Sequence, residues 1–278
     1  MCPTDDAFLG GRLQILQLQQ GYRAGLDAVM LAAAVEDPGG GPFAVLDAGA
    51  GVGTAGLCVA HRCPNAHVVL VEREADFVQL ARENIARNDL ADRVSAVQAD
   101  VRNARASDLD ACGLIEGRFD QVIANPPYHA EGAGTRASHG LKAAAHAMPD
   151  AALDDWFRFL ARMAKPGGEM LVIHKTDALP DLLAAAKGRF GALSALPFHS
   201  RADAPASRVL LRGVKGSRAP FRVQPGYVVH GPDGCFTAGA EAVLRLGRGL
   251  RVAYGKTDET EAAGIAPGSG VSEIKETT

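Results

Sequence analysis

The run Phe43-Ala44-Val45-Leu46-Asp47-Ala48-Gly49-Ala50-Gly51-Val52-Gly53 decides the fold class of this 278-residue chain. A short apolar segment ends on an acidic residue, enters a glycine-rich turn and passes from about Thr54 into a helical pattern. Glycines at such a turn let the backbone pass close to a ligand with no Cβ in the way. In an open α/β sheet, ligands collect beyond the carboxyl ends of strands near the point where strand order reverses.

Downstream, the same unit recurs. Val68 to Val71 is a β-branched run ending at Glu72, and Ala75 to Asn88 is an amphipathic helix with Phe77, Leu80, Ala81 and Ile85 on one stripe. Val94 to Val97 is a third strand ending near Asp100, and Phe119 to Ala124 a fourth running straight into Asn125. Leu153 to Ala164 is helical, closed by the stop signal Lys165-Pro166-Gly167-Gly168. Met170 to Ile173 is a fifth strand, Leu179 to Lys187 a helix, and Leu193 to Phe198 and Arg208 to Val214 two late strands. Alternating strand and helix implies an α/β fold with a mostly parallel sheet covered on both faces. The last two strands, with no long helix between them, imply an antiparallel edge hairpin. Phe221 to His230 reads as extended, Gly231-Pro232-Asp233-Gly234 as a turn and Ala238 to Leu246 as a short helix.

Upstream, Phe8 to Gln19 reads as a hairpin around Gly10-Gly11, and Asp27 to Val35 as an apolar helix stopped by Asp37-Pro38. This places a hairpin and helix over the ligand site in residues 1–40, the sheet domain in 41–250, and a polar, disordered tail in 251–278.

Composition narrows the setting. Hydrophobic residues at 47% and charged residues at 22% are ordinary for a soluble globular protein, and a net charge of −3 gives no global push toward nucleic acid. The five cysteines are scattered, with no Cys-x-x-Cys, so neither a metal site nor a disulfide framework is expected. The first residues lack a basic region followed by an apolar run, and no segment reaches the roughly 18 apolar residues of a membrane helix. The expectation is a cytoplasmic protein without membrane or metal partners.

The glycine turn also fits a nicotinamide site, because Gly51, Gly53 and Gly56 can be read as a dinucleotide pattern. Two features oppose that. Asp47 sets a carboxylate beside the ligand, which favours a cation over a pyrophosphate, and a second motif, Asn125-Pro126-Pro127-Tyr128, has no part in hydride transfer. Glu72 ends the next strand about twenty residues on, where an acid can take a ribose diol. Asp100 is placed for an adenine amino group.

The Asn-Pro-Pro-Tyr segment suits a different task. The lone pair of an amide or aromatic amine is delocalised, which makes it a poor nucleophile. Two acceptors, the Asn125 side-chain oxygen and the Pro126 carbonyl, can each take one N–H and draw the nitrogen toward tetrahedral geometry. Consecutive prolines restrict the backbone around Asn125 and make that positioning rigid. Tyr128 would stack on a planar target. A Pro-Pro turn alone would merely end a strand; its order and distance after the glycine loop carry the signal.

Together, Asp47–Gly53 and Asn125–Tyr128 resemble the class I S-adenosylmethionine-dependent amino-methyltransferases, which act on adenine N6, guanine N2 or protein glutamine. Gly21-Tyr22-Arg23-Ala24-Gly25-Leu26-Asp27-Ala28-Val29-Met30-Leu31, Ser207-Arg208-Val209-Leu210-Leu211 and Tyr227-Val228-Val229-His230-Gly231-Pro232-Asp233-Gly234 narrow this. They are similar to segments of the bacterial tRNA(Val) adenine-N6 methyltransferases, which modify the adenine 3′ of the anticodon. The resemblance runs from about Phe8 to Leu246 and departs at Glu131 to Met148, a stretch rich in Ala, Gly and His.

It implies a Rossmann-like, seven-stranded, mostly parallel sheet and S-adenosylmethionine as cofactor, held by Asp47, Gly49, Gly51, Gly53, Glu72, Asp100 and Asn125. It also implies that the Arg23–Asp27 segment closes over that cofactor. Catalysis falls to Asn125, Pro126 and Tyr128.

RNA, and tRNA in particular, is the expected partner, with Arg23, Tyr128, His129, Arg208, Arg212 and Lys215 as contacts. The basic run Arg201, Arg208, Arg212, Lys215, Arg218 and Arg222, opposed only by Asp203, fits either RNA phosphates or a solvated edge strand. Arg136, His139, Lys142 and His146 are loop residues without metal-ligand spacing. Glutamine-N5 and guanine-N2 methylation are the alternatives. Only about forty residues precede the first strand of the sheet, which leaves little room for the helical substrate domain of the glutamine enzymes.

Overall fold

The computed structural model describes residues 3–19, 23–103, 109, 113–128 and 150–250. The expected tail at 251–278, His129 and the stretch Glu131 to Met148 lie outside the described residues.

The chain opens with strands β1 (Pro3–Phe8) and β2 (Leu13–Leu18), paired antiparallel, followed by helix α1 (Leu26–Ala34). Then come β3 (Phe43–Ala48), α2 (Thr54–Arg62), β4 (Ala66–Glu72), α3 (Ala75–Arg87), β5 (Val94–Gln98) and β6 (Phe119–Ala124). The second half holds α4 (Asp150–Met163), β7 (Ala164–Lys175), α5 (Leu179–Ala186), β8 (Phe190–His199) and β9 (Ala206–Lys215). It closes with β10 (Arg222–Val223), β11 (Tyr227–Val228) and α6 (Ala238–Leu244).

The main sheet has the order β10-β8-β9-β7-β6-β3-β4-β5, with β11 also on β8. The seven expected strands form its body, and the two-residue β10 and β11 add to β8 in parallel. Strand β9 runs antiparallel to both β7 and β8, giving the expected hairpin. Strands β3 to β7 are parallel, and β3 is flanked by β4 on one side and β6 on the other. That is where strand order reverses and the carboxyl ends open a crevice.

Apolar side chains alternate across the sheet because successive residues point to opposite faces. Val45 joins the core formed with α1, α2 and α3, including Leu31, Leu57 and Ile85. Leu46 joins the other core, with Trp156, Phe157 and Leu160 of α4 and Leu182 of α5. Because α1 packs in the same core as the sheet, the N-terminal segment is tied into the domain.

The hairpin starts five residues before the expected Phe8, and the reason is physical. β1 reads Pro-Thr-Asp-Asp-Ala-Phe, with no apolar alternation of its own, and is held by register with β2. The other edge of β2 is satisfied by side chains. Asn84 of α3 is fully buried, accepts from Leu16 N at 2.8 Å and donates to Leu16 O at 3.0 Å. Asn88, one turn on, does the same with Gln14 N and O, both at 2.9 Å. Two carboxamides thus replace a neighbouring strand and meet the requirement that buried backbone groups be paired.

Candidate active site

Asp47, Glu72 and Asn125 arrive together because β3, β4 and β6 are parallel and in register: Ala48 lies beside Val71 and also beside Ala124. Beyond these strand ends lies a cleft of about 600 Å³, lined by Asp47, Gly49, Gly51, Glu72, Asp100, Asn125, Pro127, Tyr128 and Trp156, with Gln17 and Ala24 from the N-terminal segment. Most of the expected cofactor set therefore converges on one cleft.

Its carboxylates are anchored by nearby backbone. Asp47 accepts from Gly56 N at 2.9 Å. Glu72 accepts from Gly51 N at 2.9 Å and, through its other oxygen, from Arg73 N and Glu74 N at 2.7 and 2.9 Å. Asp100 accepts from Arg102 N at 2.9 Å and Asn103 Nδ2 at 2.8 Å. Asp47 is 2% exposed. Burial pushes its carboxyl up to about 7, the Gly56 bond opposes this, and the neighbouring Glu72 charge adds to it.

The glycines divide into two roles. A Cβ on Gly51, where φ is +57°, would meet nothing within 4 Å, so this residue leaves open space on the cleft side. A Cβ on Gly53 would stand 2.7 Å from Leu70 Cδ1, so Gly53 serves packing of the turn onto β4. The structure does not bring Gly53 to the cleft lining. A Cβ on Gly49 would stand 2.3 Å from Trp156 Cη2, which explains how the indole comes to floor the cleft.

Past Asn125, Pro126 is buried while Pro127 and Tyr128 line the cleft. Tyr128 donates its hydroxyl hydrogen to the Asp27 carboxylate, and its oxygen lies 3.2 Å from Asn125 Oδ1. Arg208 Nε donates to the same Asp27 oxygen at 2.9 Å, and its guanidinium carbon lies 5.0 Å from the Tyr128 ring centre. Lys175 Nζ lies 5.5 Å from that centre, and His174 meets the ring edge-on at 4.9 Å. Burial holds His174 below the usual histidine range.

The expected acceptor-side cations separate. Arg23 pairs with Asp6 and donates to Thr4 Oγ1 at 2.9 Å, next to but outside the main cleft. Arg212 is ion-paired to Glu169, and Lys215 donates to the Ala164 carbonyl at 2.7 Å. Neither is brought to the site. β9 runs antiparallel to β7, so Arg208 sits opposite Lys175 near Tyr128 and later residues run away from it. Seven residues at about 3.4 Å each put Lys215 roughly 24 Å further along.

Trp156, Thr54 and Gln17 also line the cleft, and no local sequence pattern marks them as site residues. Trp156 reads as core on an amphipathic helix, and Gln17 alternates unremarkably in a strand. Asp27 lies in the segment expected to close over the cofactor, without a role of its own there.

The cleft suits S-adenosylmethionine. Four carboxylates, Asp47, Glu72, Glu74 and Asp100, line it against two guanidiniums, Arg73 and Arg102. Gly51 leaves room at the turn, and two buried polar atoms of lining residues, Thr54 Oγ1 and Trp156 Nε1, have no hydrogen-bond partner among the described residues. Such groups call for a ligand or water to satisfy them. An acidic cleft at the switch point of a β5-β4-β3-β6-β7-β9-β8 sheet, followed by Asn-Pro-Pro-Tyr, defines a class I S-adenosylmethionine-dependent methyltransferase.

The methyltransferase small domain family matches residues 28–178, over half of the chain, and the chain belongs to that family. It is 30% identical over 182 residues to the tRNA1(Val) (adenine(37)-N6)-methyltransferase of Porphyromonas gingivalis, covering 65% of this chain and 69% of that one. It is also 37% identical over 84 residues to the release factor glutamine methyltransferase of Chlorobaculum tepidum, covering 30% and 27%. Among solved structures, a predicted O-methyltransferase of Agrobacterium tumefaciens superposes with a TM-score of 0.67 at 30% identity, covering 80% of this chain and 97% of that one. Among the described residues, no helix is long and apolar enough to cross a membrane, and no group of His, Cys, Asp or Glu could hold a metal ion.

Proposed function

We propose that this enzyme methylates the exocyclic N6 amine of adenine in RNA, with tRNA as the substrate. The observation that carries this is the placement of Asn125 at the carboxyl end of β6, inside the acidic cleft, with a hydroxyl-bearing aromatic three residues on. An alcohol acceptor has only one hydrogen to give up. A rigid Asn-Pro pair of acceptors suits an NH₂ group, which has two. The tRNA adenine-N6 methyltransferase relative, matched over about two thirds of either chain, supports the same choice.

When bound, S-adenosylmethionine supplies a methyl group on a cationic sulfur, already activated toward a nucleophile. The residues supply the rest. Glu72 and Asp100 hold the nucleoside end of that ligand, and Asp47 faces its charge. Asn125 Oδ1 and the Pro126 carbonyl take the two N–H bonds of the acceptor amine and turn its lone pair toward the methyl. Asp27 keeps this arrangement in order. A carboxylate is the stronger acceptor for the single Tyr128 hydrogen, so that hydrogen does not compete for Asn125 Oδ1.

The test is methyl transfer from labelled cofactor to tRNA lacking the modification, with nucleoside mass spectrometry of the product. N6-methyladenosine is expected. Transfer to a glutamine of a release factor, with none to RNA, would overturn the proposal; the glutamine methyltransferase relative makes that the second reading.

A further inference from the structure

Tyr128 is a wall shared by two cavities. One is the cofactor cleft. The second, of about 400 Å³, is lined from the start of α1, the end of β8 and the start of β9. Its size is within the range of small-ligand sites.

The lining of this second cavity mixes charged, polar and apolar groups. Arg23 and Arg208 contribute guanidinium groups, Ser207 a hydroxyl and His230 an imidazole, beside apolar Leu26, Phe198 and Val229. Asp27 is the one carboxylate among the described lining residues, and Asp6 pairs with Arg23 from outside the lining. His230 Nδ1 donates to the Ser200 carbonyl at 3.1 Å, which leaves Nε2 as its second polar atom. Arg208 reaches Asp27 through Nε and the Ser207 carbonyl through Nη1 at 3.1 Å, so the lining backbone and carboxylate fix its plane.

An amine held at Asn125 belongs to a nucleotide whose sugar and phosphates must leave the site away from the cofactor. Tyr128, three residues beyond Asn125, lines the second cavity as well as the cleft. A planar guanidinium is the side chain best matched to phosphate oxygens. We propose that this cavity seats the phosphodiester adjoining the methylated nucleotide, with Arg208 and Arg23 as its cationic contacts. The assignment rests on the RNA reading above.

Steady-state methylation of unmodified tRNA by full-length Arg23→Gln, across a range of KCl concentrations, tests it. KM for tRNA should rise about tenfold near physiological salt, the cost of one charge-assisted contact. Turnover and calorimetric affinity for S-adenosylhomocysteine should stay within about twofold. The salt slope of kcat/KM should become shallower by about 0.7–0.9, the signature of one lost phosphate contact. Arg23→Lys should recover the slope, and Lys215→Gln, at the far end of β9, should change neither quantity. Unchanged KM and slope in Arg23→Gln would overturn the cavity assignment while leaving RNA methylation intact. An equal effect from Lys215→Gln would also count against it. Wild-type activity on a glutamine peptide and none on tRNA would remove the RNA reading and this site with it.

Discussion

The two halves of the cleft are built by opposite means. On the cofactor side, every carboxylate is gripped by backbone N–H groups or by a neighbour a few residues away: Asp47 by Gly56, Glu72 by Gly51, Arg73 and Glu74, Asp100 by Arg102 and Asn103. On the acceptor side, side chains hold side chains across the chain: Tyr128 to Asp27 over 101 residues, and Arg208 to Asp27 over 181. The first half is built from contacts spanning at most 21 residues, within turns and between the paired strands β3 and β4. The second exists only when α1, the β6 loop and β9 have all docked. The cofactor half should therefore tolerate changes elsewhere in the fold, whereas the acceptor half should fail as a unit.

The largest effect expected is from Asn125→Ala. Turnover should fall about 10²–10³-fold, the usual cost of removing a positioned polar group that acts on the reacting atoms. Affinity for S-adenosylhomocysteine by calorimetry should change little, and equal loss of both would erase the contrast between the halves. Asp27→Asn should lower turnover by about 10–50-fold, since it disturbs Tyr128 and Arg208 together. Tyr128→Phe added to it should cost little more, because residues in one network are non-additive. Additive losses in that double variant would mean that the acceptor half is not one unit.

A smaller effect, confined to the other half, is expected from Glu72→Ala. Cofactor affinity should weaken about tenfold, as for loss of a charged hydrogen-bond partner, with turnover at saturating cofactor retained. The smallest effect concerns pH. Asp47 folds with its carboxyl raised from 3.8 to about 7, so the folded state holds that proton more tightly than the unfolded one. Its contribution to stability is present below about pH 4 and is lost as pH rises toward 7. The ionised form is the one that attracts a cationic ligand. Cofactor affinity should thus fall several-fold on acidification below about pH 7. Asp47→Asn should raise the Tm of the apo-protein by a few degrees at pH 8 and flatten that pH dependence, as destabilising functional groups do when removed. Thermal melts and calorimetry at stepped pH measure both.

The difference between the halves also explains what could be read in advance. The turn at Asp47–Gly53, the acid at Glu72 and the Asn-Pro-Pro-Tyr segment are local patterns whose backbone geometry depends on a few neighbours. The basic run beginning at Arg201 could not be resolved this way. In one dimension Arg208, Arg212 and Lys215 look equivalent, yet an antiparallel strand carries the last two away from Tyr128. Gly53 looked like Gly51 because both are turn glycines, and only the position of Leu70 separates packing from ligand space. Strand β1 is not legible locally because its pairing with β2, not its own polarity pattern, makes it a strand.

The sequence by itself determined the alternation of elements, the parallel sheet with its late hairpin, and the chemical character of both motifs. These follow from periodicity, turn chemistry and residue type, all of which act over short stretches of chain. Only the tertiary structure decided that Asp27 governs Tyr128, that Trp156 floors the cleft and that Arg208 alone of its basic run reaches the site. Those outcomes depend on which distant segments share a sheet edge and in which direction each strand runs, and no local preference encodes that.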